Sequence, residues 1–150
     1  MHTNMQKSIV SIILIFACLS IVHANELTQQ EKEWLQKADR HTKDGWVFIH
    51  IEGDPFERGF QHGYLLADEL EETLRVNKFL AEWYTGEDFN FFIEHANDMF
   101  ASKIEDEYVQ EMKGIAAGAT KAGYEISYKE ILAWNGLTEL LDYWWPHYRW

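Results

Sequence analysis

A chain of 150 residues with 25 acidic and 13 basic side chains carries a formal charge of −12. That balance argues against nucleic acid or an anionic lipid surface as the main partner, because both are themselves negative. Seven Trp, seven Tyr and nine Phe against only two Pro ask for a large core and few interruptions of helix.

The chain opens with MHTNMQKSIVSIILIFACLSIVHA, where Lys7 precedes an apolar run from Ile9 to Val22 and Val22-His23-Ala24 offers a small-residue cleavage site. Residues 1–24 read as a secretory signal peptide cut after Ala24, so the product is expected to be secreted or periplasmic. The run is shorter than the about 20 residues of a membrane span, and Phe16 is too bulky for a lipoprotein signal around Cys18. No stable membrane anchor is expected. Removing 24 of the 150 residues leaves 126, takes away Lys7 to give a charge of −13, and takes away the only cysteine. The remaining chain, 25–150, then has no disulfide, thiolate metal site or cysteine nucleophile of its own.

Asn25 to Lys43 reads as a polar surface helix with Leu27, Trp34, Leu35 and Ala38 as its apolar contacts. GWVFIHIEG, Gly45 to Gly53, is the one convincing strand, with Trp46, Phe48, His50 and Glu52 on one face and Val47, Ile49 and Ile51 on the other. Asp54 as N-cap, Pro55 at the first helical position and Glu57 as capping-box partner start a helix. Its stripe of Phe56, Phe60, Gly63, Ala67, Leu70 and Leu74 extends toward Tyr84, with Gly86 as a stop and Asp68, Glu69, Glu71 and Glu72 on the polar face. Further helices are expected over about Phe89 to Ile104 and Asp106 to Ala122, the latter ending at Gly123. Ser127 with Glu130 opens a last helix through Tyr143 that Pro146 ends.

Glycine in a helix interior costs about 1 kcal/mol relative to alanine, so Gly59 and Gly63, one turn apart, imply a backbone too close for a side chain. The strand from Trp46 to Ile51 is the expected neighbour. Gly114 and Gly118 repeat the theme in GIAAGA.

Arg58 and His62, four residues apart, share a helix face and either hold a polar substrate group or fix the helix by hydrogen bonds. Asn135, Glu139 and Asp142 step by four and three along an otherwise apolar helix. A buried polar line costs about 1–3 kcal/mol per unpaired group, so it needs partners, either sheet backbone or a pocket. Tyr143, Trp144, Trp145, Tyr148 and Trp150 either fill a core or line a pocket for an apolar acyl chain. Aromatic surface this dense at the C-terminal end, where chains usually become polar, is expected of a segment with more protein to pack on. No histidine or carboxylate stands at zinc-ligand spacing, and neither a phosphate loop nor a nucleophile elbow is present. No metal and no cofactor is expected.

GDPFERGFQHGYLLADEL (Gly53 to Leu70), EMKGIAAGA (Glu111 to Ala119) and ILAWNGLTELLDYWWP (Ile131 to Pro146), in this order, resemble the N-terminal portion of the penicillin acyltransferase-like family, and are similar also to phospholipase B-like proteins. The resemblance covers roughly Trp46 to Pro146. It implies an α+β fold, the N-terminal, mostly helical part of a four-layer αββα sandwich of the N-terminal-nucleophile superfamily. It also implies a precursor that cuts itself before an internal cysteine, whose thiol is then the nucleophile and whose freed amine can serve as base. That cysteine is expected beyond Trp150, so no catalytic residue can be carried over and the chain alone is expected to be inactive. Arg58, His62, Asn135, Glu139, Asp142, Trp144 and Trp145 remain as pocket or structural-polar candidates. The partners implied are the remainder of the same precursor, as large subunit, and a small N-acyl or lipid substrate. The activity implied is amide hydrolysis or acyl transfer, with a phospholipase B-like acyl-ester hydrolase as the alternative. A non-catalytic helical binding module is the alternative from outside the family.

Overall fold

The computed structural model describes residues 26–149; the expected signal peptide and Trp150 lie outside the described residues. The fold is mixed α+β and mostly helical, with one two-stranded antiparallel sheet among the described residues. No helix there is long and apolar enough to cross a membrane.

Helix α1 (Gln29–Gln36) starts at Thr28, whose hydroxyl accepts the Glu31 N–H while the Glu31 carboxylate accepts the Thr28 N–H. It is much shorter than the helix expected over Asn25 to Lys43, because Asp39–Lys43 is a strand, β1, paired with β2 (Trp46–His50). Asp44 at φ 53° and Gly45 at φ 82° form the two-residue turn between them, the arrangement Asp-Gly favours in hairpins. The register runs from Lys43 opposite Trp46 to Asp39 opposite His50. Nearly every residue of the hairpin is exposed, with Ile49 half-buried.

Helix α2 (Pro55–Leu65) begins at Asp54, with Pro55 in the first turn as expected. The expected capping box does not form: Asp54 makes no side-chain cap bond, and the buried Glu57 carboxylate turns to the Lys37 ammonium at 2.7 Å. At Leu66 (φ −116°, ψ 27°) the helical path bends, and α3 (Ala67–Thr85) continues to Gly86, whose left-handed φ of 82° ends it as expected. Asp88 caps α4 (Phe89–Phe100) by accepting the Phe91 N–H at 3.0 Å. Helix α5 (Asp106–Lys121) runs to a stop at Gly123, φ 105°. Ser127 and Glu130 make the expected capping box on α6 (Tyr128–Asn135).

The last helix does not run unbroken to Tyr143. After α6 the chain passes Gly136 into a wider π-helical segment, Glu139–Trp144, and then the short α7 (Trp145–Tyr148). Pro146 does not end a helix; it sits in the first turn of α7, where its missing N–H leaves no bond unmade.

The neighbour of Gly59 and Gly63 is a helix, not the strand. A methyl group on Gly59 would overlap the Glu111 carbonyl, and one on Gly63 the Ile115 carbonyl; reciprocally, methyls on Gly114 and Gly118 would overlap the Phe56 and Phe60 carbonyls. The two small-residue motifs are therefore two halves of one crossing, α2 on α5, at backbone-to-backbone contact. Beside it Leu70, Leu74, Met112, Ile115, Ala119, Ile126, Ile131 and Leu132 form one core cluster. A second joins Ala81, Phe89, Phe92, Ala96, Ala133, Leu140 and Trp145. Helix α6 supplies both, through Ile131 and Leu132 on one hand and Ala133 on the other.

Candidate functional site

The glycine crossing brings the start of α2 against the middle of α5, and there Arg58 reaches two partners. Its Nη1 donates to the Gly53 carbonyl at 2.9 Å and its Nη2 to Glu111 Oε2 at 3.0 Å. Glu111 opens the EMKGIAAGA motif but was not singled out as a site residue; it becomes one through a contact 53 residues away along the chain. One turn beyond Arg58, His62 faces a cavity of 470 Å³ lined also by Ile104, Tyr108, Glu111, Met112, Ile115 and Asn135. Burial holds the His62 imidazole below its usual value, and the Glu111 charge only partly opposes this. Its neutral form, with one ring donor and one ring acceptor, therefore prevails at pH 7.

Asn135, at the end of α6, donates its Nδ2 to the Ile131 carbonyl of its own helix at 2.9 Å, with Met112 Sδ at 3.8 Å. A second cavity, of 260 Å³, shares Asn135 and Ile104 with the first and adds Phe100, Lys103, Leu132, Gly136 and Glu139. The two adjoin at Ile104 and Asn135, and together they run as a groove from His62 to Glu139, with mostly apolar walls and polar groups at its ends and at Asn135.

Four of the residues singled out in the sequence, Arg58, His62, Asn135 and Glu139, thus lie along one groove, Arg58 by way of Glu111. Asp142 is exposed and lines neither cavity. The expected buried polar line does not exist, since Asn135, Glu139 and Asp142 are all exposed. The break at Gly136 and the wider winding after it remove the common helical face that a step of four and three would have given, and Asn135 is satisfied by its own helix, not by a sheet.

Trp144 and Trp145 lie apart from the two cavities, packed on α4. The Phe91 ring is 5.9 Å from Trp144 and 5.8 Å from Trp145, and the His95 ring is 4.5 Å from Trp144. Tyr148 closes the cluster at 4.6 Å from Trp144. His95 Nδ1 lies 2.8 Å from the Phe91 carbonyl; since a carbonyl only accepts, that nitrogen carries the proton. Trp145 Nε1 is buried without an acceptor. Gln61 went unnoticed between the two glycines, yet it is fully buried: its Nε2 donates to the Trp34 and Glu52 carbonyls at 2.9 and 3.0 Å and its Oε1 accepts the Glu52 N–H at 2.8 Å.

Among the described residues no three His, Asp or Glu side chains cluster closely enough to hold a metal ion. What the groove can do chemically is bind: it offers an apolar floor, a neutral imidazole, and the exposed amide of Asn135.

No family model matches the sequence, and no solved structure matches it. A relative is an uncharacterized protein of Archaeoglobus fulgidus, 32% identical over 101 residues, a match that covers 61% of this chain and 16% of the relative. The chain accordingly spans about a sixth of that relative's length.

Proposed function

We propose that this chain is the N-terminal, small-subunit segment of an exported, self-cleaving N-terminal-nucleophile enzyme of four-layer αββα fold that hydrolyses or transfers an acyl group at an amide bond. One observation carries the reading. The three stretches that bear the resemblance, far apart in sequence, meet in space: Gly53 to Leu70 and Glu111 to Ala119 form the glycine crossing, and Ile131 to Pro146 closes the groove beside it. Unpartnered apolar surface agrees with a layer that packs on more protein. Trp46 is 73% exposed on the hairpin, and Phe79, Leu80, Trp83 and Tyr84 stand exposed along the outer side of α3.

In this reading the nucleophile is a cysteine from sequence following residue 150, freed by self-cleavage so that its own amine takes the thiol proton. The thiolate attacks the amide carbonyl, and backbone or amide donors hold the resulting oxyanion. The Ile131 to Pro146 segment leads the chain toward that cysteine, and residues 1–24 direct export.

Sequencing the reading frame past Trp150 and weighing the mature protein tests it. An early cysteine and a mass showing cleavage immediately before it are expected, with release of free amine from an N-acyl amine. A stop codon at 151, or an open frame without such a cysteine, defeats the reading. So does a compact, cooperative monomer of residues 25–150 that works alone, which is the behaviour of a binding module.

A further inference from the structure

We infer that the groove from His62 to Glu139 is the seat of an uncharged, elongated aliphatic chain, with Ile104 as its waist. The inference deepens the amide-bond reading and rests on it only in calling that chain the acyl part of the substrate.

The floor is apolar, built by Met112 and Ile115 of α5, Ile104 of the connecting loop, Phe100 of α4 and Leu132 of α6. Cavities of 470 and 260 Å³ meeting at Ile104 and Asn135 give an elongated shape on the scale of small-molecule sites, about 300–1,000 Å³. Methionine, unbranched and polarizable, moulds to a flexible chain.

Charge decides what kind of chain. At the near end the Glu111 carboxylate is matched by the Arg58 guanidinium at 3.0 Å. The far end carries one cation, Lys103, and one anion, Glu139. His62, held neutral by burial, adds no charge at pH 7. Neither end has a surplus for a carboxylate, a phosphodiester or an ammonium group to neutralise, and the net charge of −12 repels anionic headgroups at longer range. A ligand whose polar part is neutral leaves the Arg58–Glu111 pair undisturbed and takes no counter-ion from Lys103 or Glu139, and hydrogen bonding to His62, Tyr108 and Asn135 suffices to orient it.

The test uses the protein expressed from its complete reading frame and three probes of similar chain length: 2-undecanone, which is neutral and cannot be hydrolysed, decanoate, and decylphosphocholine. Calorimetry is expected to show 2-undecanone binding at least about tenfold more tightly than the anionic decanoate or the zwitterionic decylphosphocholine. Ile104→Trp, a loop substitution that fills the waist, is expected to weaken it about tenfold with circular dichroism unchanged. Should that variant misfold, a diazirine-tailed ketone replaces it, and its crosslinks are expected on the peptides holding Ile104, Met112 and Ile115. Decanoate binding as tightly as the ketone and losing affinity in Lys103→Gln overturns the proposal, as do crosslinks confined elsewhere. Amide cleavage is scored separately. Ketone binding without cleavage retires the hydrolase reading alone, whereas cleavage whose KM ignores Ile104→Trp retires the groove alone.

Discussion

Helix α2 is held in two opposite ways on its two sides. Toward α5 it presents Gly59 and Gly63, and backbone meets backbone with no room for a methyl group. Toward α1 and the segment after β2 it presents Gln61, whose three hydrogen bonds tie Glu52 and Trp34 to the helix, with Glu57 on Lys37 and with Phe56 and Phe60 against the Trp34 ring, while the strands beyond stay exposed. The first contact is decided by sterics and tolerates no added atom. The second is made of a few polar bonds and the ring contacts of Trp34, and leaves the aromatic surface of the hairpin unused. The closed side makes the groove a fixed shape, because His62 and Glu111 are positioned by the crossing itself. The open side leaves Trp46, Val47 and Phe48 exposed.

The largest effect that can break this contrast is expected at the crossing. In an unobstructed helix Gly→Ala adds about 1 kcal/mol of stability. At Gly63 or Gly118 the new methyl would strike the Ile115 or Phe60 carbonyl, which a flexible neighbour cannot relieve. Gly63→Ala and Gly118→Ala are each expected to lose about 3 kcal/mol in urea unfolding, the upper part of the overpacking range. Gly86→Ala, where nothing stands near the added carbon but φ is 82°, is expected to lose only about 1 kcal/mol.

Next in size is the other side of α2. Gln61→Leu fits the space but strands the Glu52 N–H and two carbonyls, and each lost bond of this kind costs about 1 kcal/mol or more. Because Glu52 is exposed and its freed groups can turn to water, about 2 kcal/mol is expected to be lost. The diagnostic readout is hydrogen exchange: the Phe48 and His50 amides, which face β1 in the register, should exchange faster while the middle of α5 stays protected. Equal acceleration in both would mean that the hairpin and the crossing are one cooperative unit, and the contrast would fall.

How much of this was legible in the sequence follows the same division. Signals carried within one turn were readable: Ser127 with Glu130, Pro55 after Asp54, and the stops at Gly86 and Gly123. The Asp44-Gly45 turn was equally local, and reading a helix through Asp39–Lys43 missed it because the charged residues of β1 show no apolar alternation. Gly59 and Gly63 announced a close neighbour but not which one, since that depends on a contact made across the whole of α3 and α4. Glu111 and Gln61 were invisible for the same reason. Nor could the π-helical segment be foreseen: nothing local in Glu139–Trp144 marks a wider winding, and Leu140 and Trp145 reach the core with α4 only in the folded chain.

A smaller change tests the groove side of the crossing by pH. The groups facing His62 are Glu111, Tyr108 and Asn135, with Arg58 one turn away. Because burial lowers the folded-state value of His62 from 6.5, the unfolded chain takes up the proton first as pH falls. Stability is then full above about 6.5 and declines as pH drops below it, until the folded state is protonated as well. His62→Gln is expected to flatten the pH 5–7 part of the profile. Glu130 marks the next decline: burial would raise it, but bonds from Lys78 and Ser127 together hold it below the usual carboxylate value. Its contribution is present above about pH 4.5 and lost on further acidification.

The smallest effect is expected on the open side, and there a null result in stability is informative. Phe48 is 47% exposed and, among the described residues, stacks on the His41 ring at 5.4 Å. Phe48→Thr keeps a good strand former and removes apolar surface that is already in water, so the isolated chain is expected to change by no more than about 0.5 kcal/mol. Its tendency to self-associate in sedimentation should fall, because a hairpin with both faces exposed offers an edge and a patch to any copy it meets. In the protein from the complete reading frame the same substitution should cost about 1–2 kcal/mol if the hairpin is covered there, since a buried phenylalanine then loses its contacts. A negligible cost in both settings would mean that the open side of α2 stays open, and that the hairpin packs on nothing further.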